Sequence, residues 1–403
     1  MKKAFCLFFF FSLTILAFTK EKTDKPDFKL GIERVDDFSI LFKGKRIGLI
    51  TNQTGIDSLG RSSIEILYEK TNLKALFSPE HGIRGNAREG AGISNTVDKR
   101  TELTVYSLYG KTKRPTKEML QQVDVLCFDI QDVGARFYTY IYTMAYAMEA
   151  CARDRKTFVV FDRPNPINGI NVEGNILEEE YRSFTGYFPI VQRHGMTCGE
   201  LALMFNEEFK IGCNLKVIPM QDWKREDYFE DLNLMWIPPS PNIPTPDTAL
   251  VYSGFCIFEG VNISVGRGTT MPFKYIGAPY IEAEALAEKL NALNLAGVFF
   301  KPAYFTPSLS VYKDELCEGI QIIVKDKNKF LPVKTGIAVM YKIKEMYPDK
   351  FKINNYPVKH CGLNLLTGTD KLSTMSLSLD EYLKFIEKDE QRFLKKRKRY
   401  LMY

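Results

Sequence analysis

The sequence predicts an α/β protein in which a Rossmann-like parallel-sheet domain is followed by a smaller α+β domain. Four apolar stretches in the first half have the pattern of buried strands, and helix-forming segments lie between them. Strands that alternate with helices are typical of βαβ units and a parallel sheet. The composition changes at a proline-rich segment, residues 238–246. We therefore predict a Rossmann-like domain over 28–250 and a C-terminal α+β domain over 251–403.

The predicted strands of the first domain end in polar residues. These strands are residues 46–50, 73–77, 123–130 and 158–161. The polar residues that follow them include Asn52, Glu80, Asp132 and Asp162. Open α/β sheets bind ligands outside the carboxyl ends of their strands, so four such ends indicate one polar site. This pattern is the main reason to predict an enzyme.

Helices are predicted from capping residues and from runs of helix-forming residues. Ser62 and Ser63 are suited to cap a helix that continues through Leu67, because their hydroxyls satisfy the free amides of a first turn. A second helix is predicted over 140–152. Beyond the proline-rich segment we predict a strand over 250–258, a helix over 281–293, strands over 298–305 and 320–324, and a final helix from Leu379.

Composition and missing motifs exclude several classes of function. The formal net charge of +6 is modest and forms no basic stripe, which argues against a nucleic-acid binder. The three histidines are scattered and no Cys-x-x-Cys pair occurs, so we predict no metal site. The glycine-rich segment 259–270 lacks the lysine of a phosphate loop, and no G-x-G-x-x-G follows the first strand. We therefore predict no cofactor.

The first residues have the pattern of a secretory signal peptide. Lys2 and Lys3 precede an apolar run, residues 4–18, and Lys20 follows it. This run is shorter than the roughly 20 residues that a membrane-spanning helix needs. We predict a signal peptide over 1–19, export to the periplasm or the exterior, and no membrane span after cleavage. An uncleaved anchor is the alternative.

The segment Ser-Pro-Glu-His-Gly-Ile-Arg-Gly, residues 78–85, carries the first candidate for catalysis. Its Glu80 follows a predicted strand, and burial at that place raises a carboxyl pKa and suits the group to general-acid work. A carboxylate that only caps a turn is the alternative. His194, farther along the chain, fits a satisfied loop histidine slightly better than a site residue.

The segment 131–140 combines an acid, an arginine and two tyrosines. Arg136 is suited to hold a carboxylate in a two-pronged hydrogen bond, and Tyr138 and Tyr140 are suited to contact a sugar ring. In the alternative interpretation Asp132 pairs with Arg136 and the aromatic rings belong to the core.

Six motifs, in order along the chain, resemble those of the NamZ-type exo-β-N-acetylmuramidases. They are residues 48–55, 78–85, 128–140, 162–166, 238–245 and 259–272, and the resemblance extends from about Gly31 to the C-terminus. Each motif is short, but six in the same order are specific. The resemblance implies a cleft between the two domains. It also implies removal of terminal N-acetylmuramic acid from the non-reducing ends of peptidoglycan fragments (muropeptides or disaccharides) during cell-wall recovery.

The resemblance further implies catalytic roles for individual residues. Glu80, in the S-P-E-H-G motif, is the expected catalytic acid, and Tyr138 or Tyr140 is an expected assisting tyrosine. Glycoside cleavage usually needs a second carboxylate, for which Asp132 and Glu259 are candidates, and a tyrosine nucleophile such as Tyr138 is the alternative. The predicted catalytic set is Glu80, Tyr138 and Asp132.

The protein is expected to bind a carboxylate of the substrate, because the lactyl group of muramic acid carries one. Arg136 and Arg267 are the first candidates to bind it, ahead of Arg84 and Arg163. The full predicted substrate-binding set is Asn52, His81, Arg84, Arg136, Tyr140, Asn242, Glu259 and Arg267. One departure from the family pattern is Asn86, where an aspartate is expected after the I-R-G turn.

Two other functions fit the same residues. One is a non-catalytic protein that binds peptidoglycan fragments through the same fold, and the other is an esterase or amidase that acts on cell-wall material. The absent G-x-S-x-G elbow and the absent metal pattern count against the second. The sequence makes no prediction about the oligomeric state.

Overall fold

The computed structural model describes residues 28–85, 95–110 and 112–403. The predicted signal peptide and Asn86 lie outside these residues. Within the described ranges the first domain contains a seven-stranded sheet with strand order β3-β4-β2-β1-β5-β6-β7. All neighbouring strands are parallel except β3 and β4. The strands are β1 (Arg46–Thr51), β2 (Asn72–Ser78), β3 (Thr96–Val97), β4 (Thr104–Ser107), β5 (Val125–Asp129), β6 (Thr157–Phe161) and β7 (Asn214–Ile218).

Helices pack against this sheet, and a second, antiparallel sheet follows it. The helices of the first part are α1 (Ser63–Lys70), α2 (Lys117–Leu120), α3 (Tyr140–Arg153) and α4 (Cys198–Glu208). The later elements are α5 (Pro246–Phe255), β8 (Tyr275–Ala278), α6 (Ala283–Asn291), β9 (Val298–Phe305), β10 (Cys317–Val324), α7 (Pro332–Met346), α8 (Gly362–Thr367) and α9 (Leu379–Arg397). Strands β8, β10 and β9 form the smaller sheet in that order. The predicted α/β fold class is confirmed.

One predicted element is wrong: residues 250–258 form helix rather than strand. They belong to α5 and to the 3-10 helix Cys256–Gly260 that continues it. Thr245 caps α5 by accepting a hydrogen bond from the Thr248 amide, and Pro246 fits its first turn. Because α5 is buried on nearly all sides, its apolar run shows no helical period, and periodicity alone cannot separate such a helix from a buried strand.

The large sheet is buried on both faces. Leu49 and Ile50, neighbours on β1, belong to two different hydrophobic clusters, as do Leu76 and Phe77 on β2. This alternation follows from the two-residue period of a strand. The cluster that contains Phe77 continues into the C-terminal part of the chain, for example to Phe273. Among the described residues no helix is long and apolar enough to cross a membrane.

The topology places a ligand site at the ends of the central strands. Strand β1 pairs with β2 on one side and with β5 on the other. After β1 the chain first adds strands on one side of it and later adds strands on the other side, so β1 lies at a topological switch point. Open α/β sheets bind ligands in the crevice at such a point. Asn52 follows β1, Glu80 follows β2 and Asp132 follows β5.

The last residues of the chain attach to the end of β6. The Tyr403 hydroxyl donates to Asp162 Oδ2 at 2.7 Å, and the Thr197 hydroxyl donates to the same oxygen at 2.7 Å. The amides of Arg163 and Gly199 donate to Asp162 Oδ1. Burial nevertheless dominates and raises the pKa of Asp162 to about 6.

We expect Asp162→Asn to change how stability depends on pH. Because the folded state holds the Asp162 proton more tightly than the unfolded chain does, folding stability is higher below the unfolded pKa of about 3.9. This contribution, at most about 3 kcal/mol, is lost as pH rises towards about 6. Denaturant titrations should therefore show that the difference in the free energy of unfolding between the wild-type protein and the variant becomes smaller as the pH rises from about 3.9 to about 6. A difference that does not vary with pH contradicts the expectation.

Candidate active site

A cavity of about 220 Å³ lies where the end of β2, the loop after β5 and the proline-rich loop meet. It brings together seven of the predicted site residues: Glu80, His81, Tyr138, Tyr140, Asn242, Glu259 and Arg267. Four others, Asn52, Arg84, Asp132 and Arg136, do not line it. Within the described part of the chain, no group of three or more His, Cys, Asp or Glu side chains is placed to hold a metal ion.

Glu80 is presented to the cavity by a tight turn. The chain leaves β2 at Ser78, and His81 and Gly82 take positive φ angles of 69° and 79°. The Gly82 amide donates to the Pro79 carbonyl at 3.1 Å and closes the turn. Glu80 is only 8% exposed. The Thr139 hydroxyl donates to Glu80 Oε2 at 2.7 Å, which fixes the orientation of the carboxyl group.

Two tyrosines form the wall beside Glu80. The rings of Tyr138 and Tyr140 meet edge to face with centroids 4.9 Å apart. The Tyr140 hydroxyl donates to the Pro239 carbonyl at 2.6 Å, which ties the proline-rich loop to the site. Burial raises the pKa of Tyr140, and the nearby Glu80 charge adds to the effect. Burial also raises the pKa of Tyr138 well above 10. Both phenols therefore carry their proton at neutral pH and are suited to donate hydrogen bonds.

An ion pair between Glu259 and Arg267 lines another part of the cavity. The Arg267 guanidinium also lies 5.2 Å from the centroid of the Phe273 ring. Cys256 Sγ donates to Glu259 Oε2 at 3.6 Å. The Arg267 side chain is 12% exposed and that of Glu259 is 28% exposed. The arrangement holds a mostly buried guanidinium at the cavity, where it is suited to form a charge-assisted hydrogen bond with an anionic ligand group.

The sequence matches two family models that together cover most of the chain. Residues 47–247 match the model described as "Exo-beta-N-acetylmuramidase NamZ, N-terminal", and residues 250–403 match "Exo-beta-N-acetylmuramidase NamZ, C-terminal". The chain belongs to the NamZ family. The resemblance seen in the six motifs is thereby confirmed.

Individual members of the NamZ family and solved structures agree with this assignment. The chain is 49% identical over 385 residues to the peptidoglycan β-N-acetylmuramidase NamZ of Bacillus subtilis (strain 168), covering 94% of this chain and 92% of that protein. A DUF1343 family protein from Bacteroides fragilis superposes with a TM-score of 0.87 at 41% identity, covering 93% of this chain and 99% of that one. A second one superposes with a TM-score of 0.71 at 32% identity, covering 94% and 99%.

Arg136 of this NamZ-family chain was predicted to bind a substrate carboxylate, but it does not line the cavity. Its side chain is fully buried, and its two terminal nitrogens donate to four backbone carbonyls at 2.6 to 3.0 Å. These carbonyls belong to Asn175, Ile190, Leu366 and Thr367. The prediction that Arg136 binds a substrate carboxylate is therefore wrong, because its terminal donors are committed to the backbone outside the cavity.

The other arginine candidates are also engaged elsewhere. Arg84 is half exposed and forms an ion pair with Asp98. Arg163 is buried against Asp129, with hydrogen bonds of 2.6 and 2.8 Å to its carboxylate. Neither lines the cavity, so the predicted contact of Arg84 with a substrate stays a prediction that the cavity does not support. Of the four arginines considered for binding a substrate carboxylate, Arg267 lines the cavity.

Asn52 and Asp132 lie behind the cavity wall. Asn52 Oδ1 accepts hydrogen bonds from the amide and the hydroxyl of Thr54 at 2.9 and 2.6 Å. Asp132 Oδ2 accepts from the Gly134 amide at 2.7 Å. Both side chains are close enough to Tyr140 to influence its pKa. Neither Asn52 nor Asp132 lines the cavity, so their contact with a substrate stays a prediction.

Sequence reasoning missed several residues of the site. Thr139 orients Glu80 and lies between Tyr138 and Tyr140 in the sequence. Its place between two predicted site residues could have indicated that it belongs to the site. Tyr252 packs against the Tyr138 ring at 5.8 Å and was missed because its segment was taken for a strand. Ser240 lies in the proline-rich segment and lines the cavity, but nothing in the sequence marks it.

Proposed function

We propose that this protein is an exo-acting glycosidase that releases terminal N-acetylmuramic acid from the non-reducing ends of peptidoglycan fragments. Membership of the NamZ family and the peptidoglycan β-N-acetylmuramidase activity for which the Bacillus subtilis relative is named support the proposal. The observation that carries it is the buried Glu80 carboxyl at the end of β2, held by Thr139 inside a cavity lined with tyrosines. A buried carboxyl in such a place is suited to protonate a leaving oxygen.

Product analysis of the unmutated protein separates this proposal from its alternatives. The substrate is a peptidoglycan fragment with muramic acid at its non-reducing end, and the products are identified by mass spectrometry. Free N-acetylmuramic acid supports the glycosidase. Loss of an acyl group or of the peptide indicates an esterase or amidase. Binding of an intact fragment without turnover indicates a protein that only binds the cell wall.

Arg267 is the residue that we assign to the lactyl carboxylate of the substrate. We expect Arg267→Met to lower kcat/KM for a chromogenic muramic acid glycoside by about 10- to 100-fold, since a hydrogen bond between charged groups contributes about 1.5–3 kcal/mol. The matching N-acetylglucosamine glycoside lacks the lactyl group, so its slower cleavage should change much less. Arg84→Met, outside the cavity, is the charge control. An equal loss for both glycosides contradicts the assignment.

Two wider features belong to the same proposal. We propose that residues 1–19 direct export to the periplasm or the exterior, on the strength of the two lysines and the apolar run that follows them. A role in cell-wall recycling follows from the nature of the released sugar. The mass of the mature protein recovered from its natural host tests the first of these, because an unprocessed N-terminus contradicts cleavage.

A further inference from the structure

The cavity has two ends, and Glu80 lies between them. Tyr109 follows strand β4, which pairs with β2 on the side away from β1. Glu80 follows β2, and the loop that carries Tyr138 follows β5 on the other side of β1. Because the carboxyl ends of these parallel strands meet at one edge of the sheet, the strand order places Tyr109 and Tyr138 on opposite sides of Glu80. All three residues line the cavity.

Aromatic contacts connect the Tyr138 end of the cavity to Arg267. The Tyr252 ring lies 5.8 Å from the Tyr138 ring and 4.7 Å from the Phe273 ring, measured between centroids. The Phe273 ring in turn packs against the Arg267 guanidinium. Tyr252 and Phe273 are buried, so the protein walls this end of the cavity. This is the end that we assign to the terminal sugar, with its lactyl carboxylate at Arg267.

The opposite end of the cavity is formed by half-buried aromatic rings. The centroids of Tyr109 and Phe184 are 6.2 Å apart, and both residues line the cavity. Phe184 also stacks on Tyr146 of α3 with centroids 5.8 Å apart. Tyr146 lies two helical turns, about 10 Å, beyond Thr139, whose hydroxyl holds Glu80. This end therefore continues along α3, away from Glu80.

Lys113 places a positive charge at this opposite end. Its Nζ lies 4.1 Å from the centroid of the Phe184 ring, and the negative face of an aromatic ring attracts a cation. Among the residues that the structure describes, no carboxylate forms an ion pair with Lys113. The two neighbouring arginines are each paired with a glutamate: Arg114 with Glu149, and Arg182 with Glu179. Lys113 is therefore the cation suited to bind an added anionic group.

The position of Glu80 decides which part of the substrate lies at each end. Glu80 protonates the oxygen that joins the terminal sugar to the next one. With the terminal sugar at Arg267, the remaining sugars must extend past Glu80 towards Tyr109 and Phe184. In peptidoglycan the third sugar is again a muramic acid. It carries either a free lactyl carboxylate or a stem peptide with carboxylates of its own, so a negative charge follows the second sugar in both cases.

We propose that Tyr109, Phe184 and Lys113 form a second subsite, which binds the part of the substrate beyond the cleaved bond and recognises a carboxylate that follows the second sugar. This inference rests on the proposed glycosidase function. The two rings offer apolar surface to the second sugar. The Lys113 ammonium forms a charge-assisted hydrogen bond with the carboxylate. The enzyme therefore prefers fragments of three or more sugars to the disaccharide.

The test compares kcat/KM for two fragments that have the same cleaved bond. One is the disaccharide of N-acetylmuramic acid and N-acetylglucosamine, and the other is the trisaccharide that ends in a second N-acetylmuramic acid. We expect Lys113→Met to lower the ratio of trisaccharide to disaccharide kcat/KM about tenfold, mainly through a higher KM for the trisaccharide. Added salt should lower the wild-type ratio and should affect the ratio of Lys113→Met less. Lys289→Met, which changes an exposed lysine on α6, is the matched control and should keep the wild-type ratio.

Two forms of the trisaccharide separate the possible sources of the carboxylate. In one form the third sugar has a free lactyl group, and in the other it carries a stem peptide. A loss in Lys113→Met with the first form alone identifies the lactyl carboxylate, and a loss with the second form alone identifies the peptide. A loss with both forms shows that the subsite accepts either source.

A change at Tyr109 tests the contact with the second sugar. Tyr109→Leu should lower kcat/KM for both fragments, because both contain that sugar. If Tyr109→Leu does not fold, Lys113→Met decides. A wild-type protein without preference for either trisaccharide, or a Lys113→Met variant with an unchanged ratio for both forms, overturns the inference. If the unmutated protein releases no muramic acid from any of these fragments, the proposed function itself fails.

Discussion

Glu80→Gln should lower kcat for a muramic acid glycoside by about 10²–10⁴-fold while the protein stays folded. Glutamine keeps the shape of the side chain and an oxygen that accepts the hydrogen bond from Thr139. It cannot give a proton to the leaving oxygen, and this is the function that we assign to Glu80. The measurement is the rate of release of a chromogenic aglycone, with circular dichroism to verify folding.

The leaving group provides an internal check of this prediction. A dinitrophenyl aglycone departs without protonation, so its release should be affected far less by Glu80→Gln than that of a poorer leaving group. Glu69→Gln, which alters an exposed carboxyl on α1, is the matched control. If the loss is the same for good and poor leaving groups, Glu80 is not the general acid. Retained turnover of both glycosides leads to the same conclusion.

Arg136→Met should destabilise the fold by at least about 3 kcal/mol. The arginine donates to the carbonyls of Leu366 and Thr367 at the end of α8, and also to those of Asn175 and Ile190. Its removal leaves these four acceptors without that donor in a buried place, and the loss of each such hydrogen bond is costly. Because the contacts join distant parts of the chain, we expect the whole structure to unfold more easily.

Denaturant titrations of Arg136→Met measure this effect through the midpoint of unfolding. Arg84→Met, which removes a half-exposed arginine from its ion pair with the buried Asp98, should destabilise the fold less than Arg136→Met does, because Asp98 keeps its hydrogen bonds from Thr101. At a temperature where Arg136→Met is still folded, its KM should stay close to that of the wild-type protein. Normal stability combined with a strongly raised KM would restore the role in substrate binding that the sequence suggested.

Much of the first domain could be predicted because its central strands are short apolar runs with polar ends. Strand β1 was expected over 46–50 and is found at Arg46–Thr51, and the end of β2 places Glu80 in the cavity as the strand pattern implied. The start of α9 at Leu379 was predicted from the helical spacing of Tyr382, Leu383 and Ile386, and the structure shows that Ser378 caps it. These features depend on residues that are close together along the chain.

The features that could not be predicted depend on contacts between distant residues. Arg136 stands beside two tyrosines in the sequence, but its partners Leu366 and Thr367 are 230 and 231 residues away. Nothing in the local segment distinguishes an arginine that binds a ligand from one that binds carbonyls. Likewise, nothing near His194 in the sequence indicates that its Nε2 lies 3.7 Å from Asp132 Oδ2, 62 positions earlier in the chain.

The three consecutive residues Tyr138, Thr139 and Tyr140 all line the cavity at the start of α3. Each additional residue in a helix rotates the following side chains by about 100°. One residue inserted or deleted within residues 138–140 would therefore displace these three side chains from the cavity together. The same change at Gly212, in an open turn before β7, would leave them intact. Length variation among natural homologues should thus be common at the second place and rare at the first.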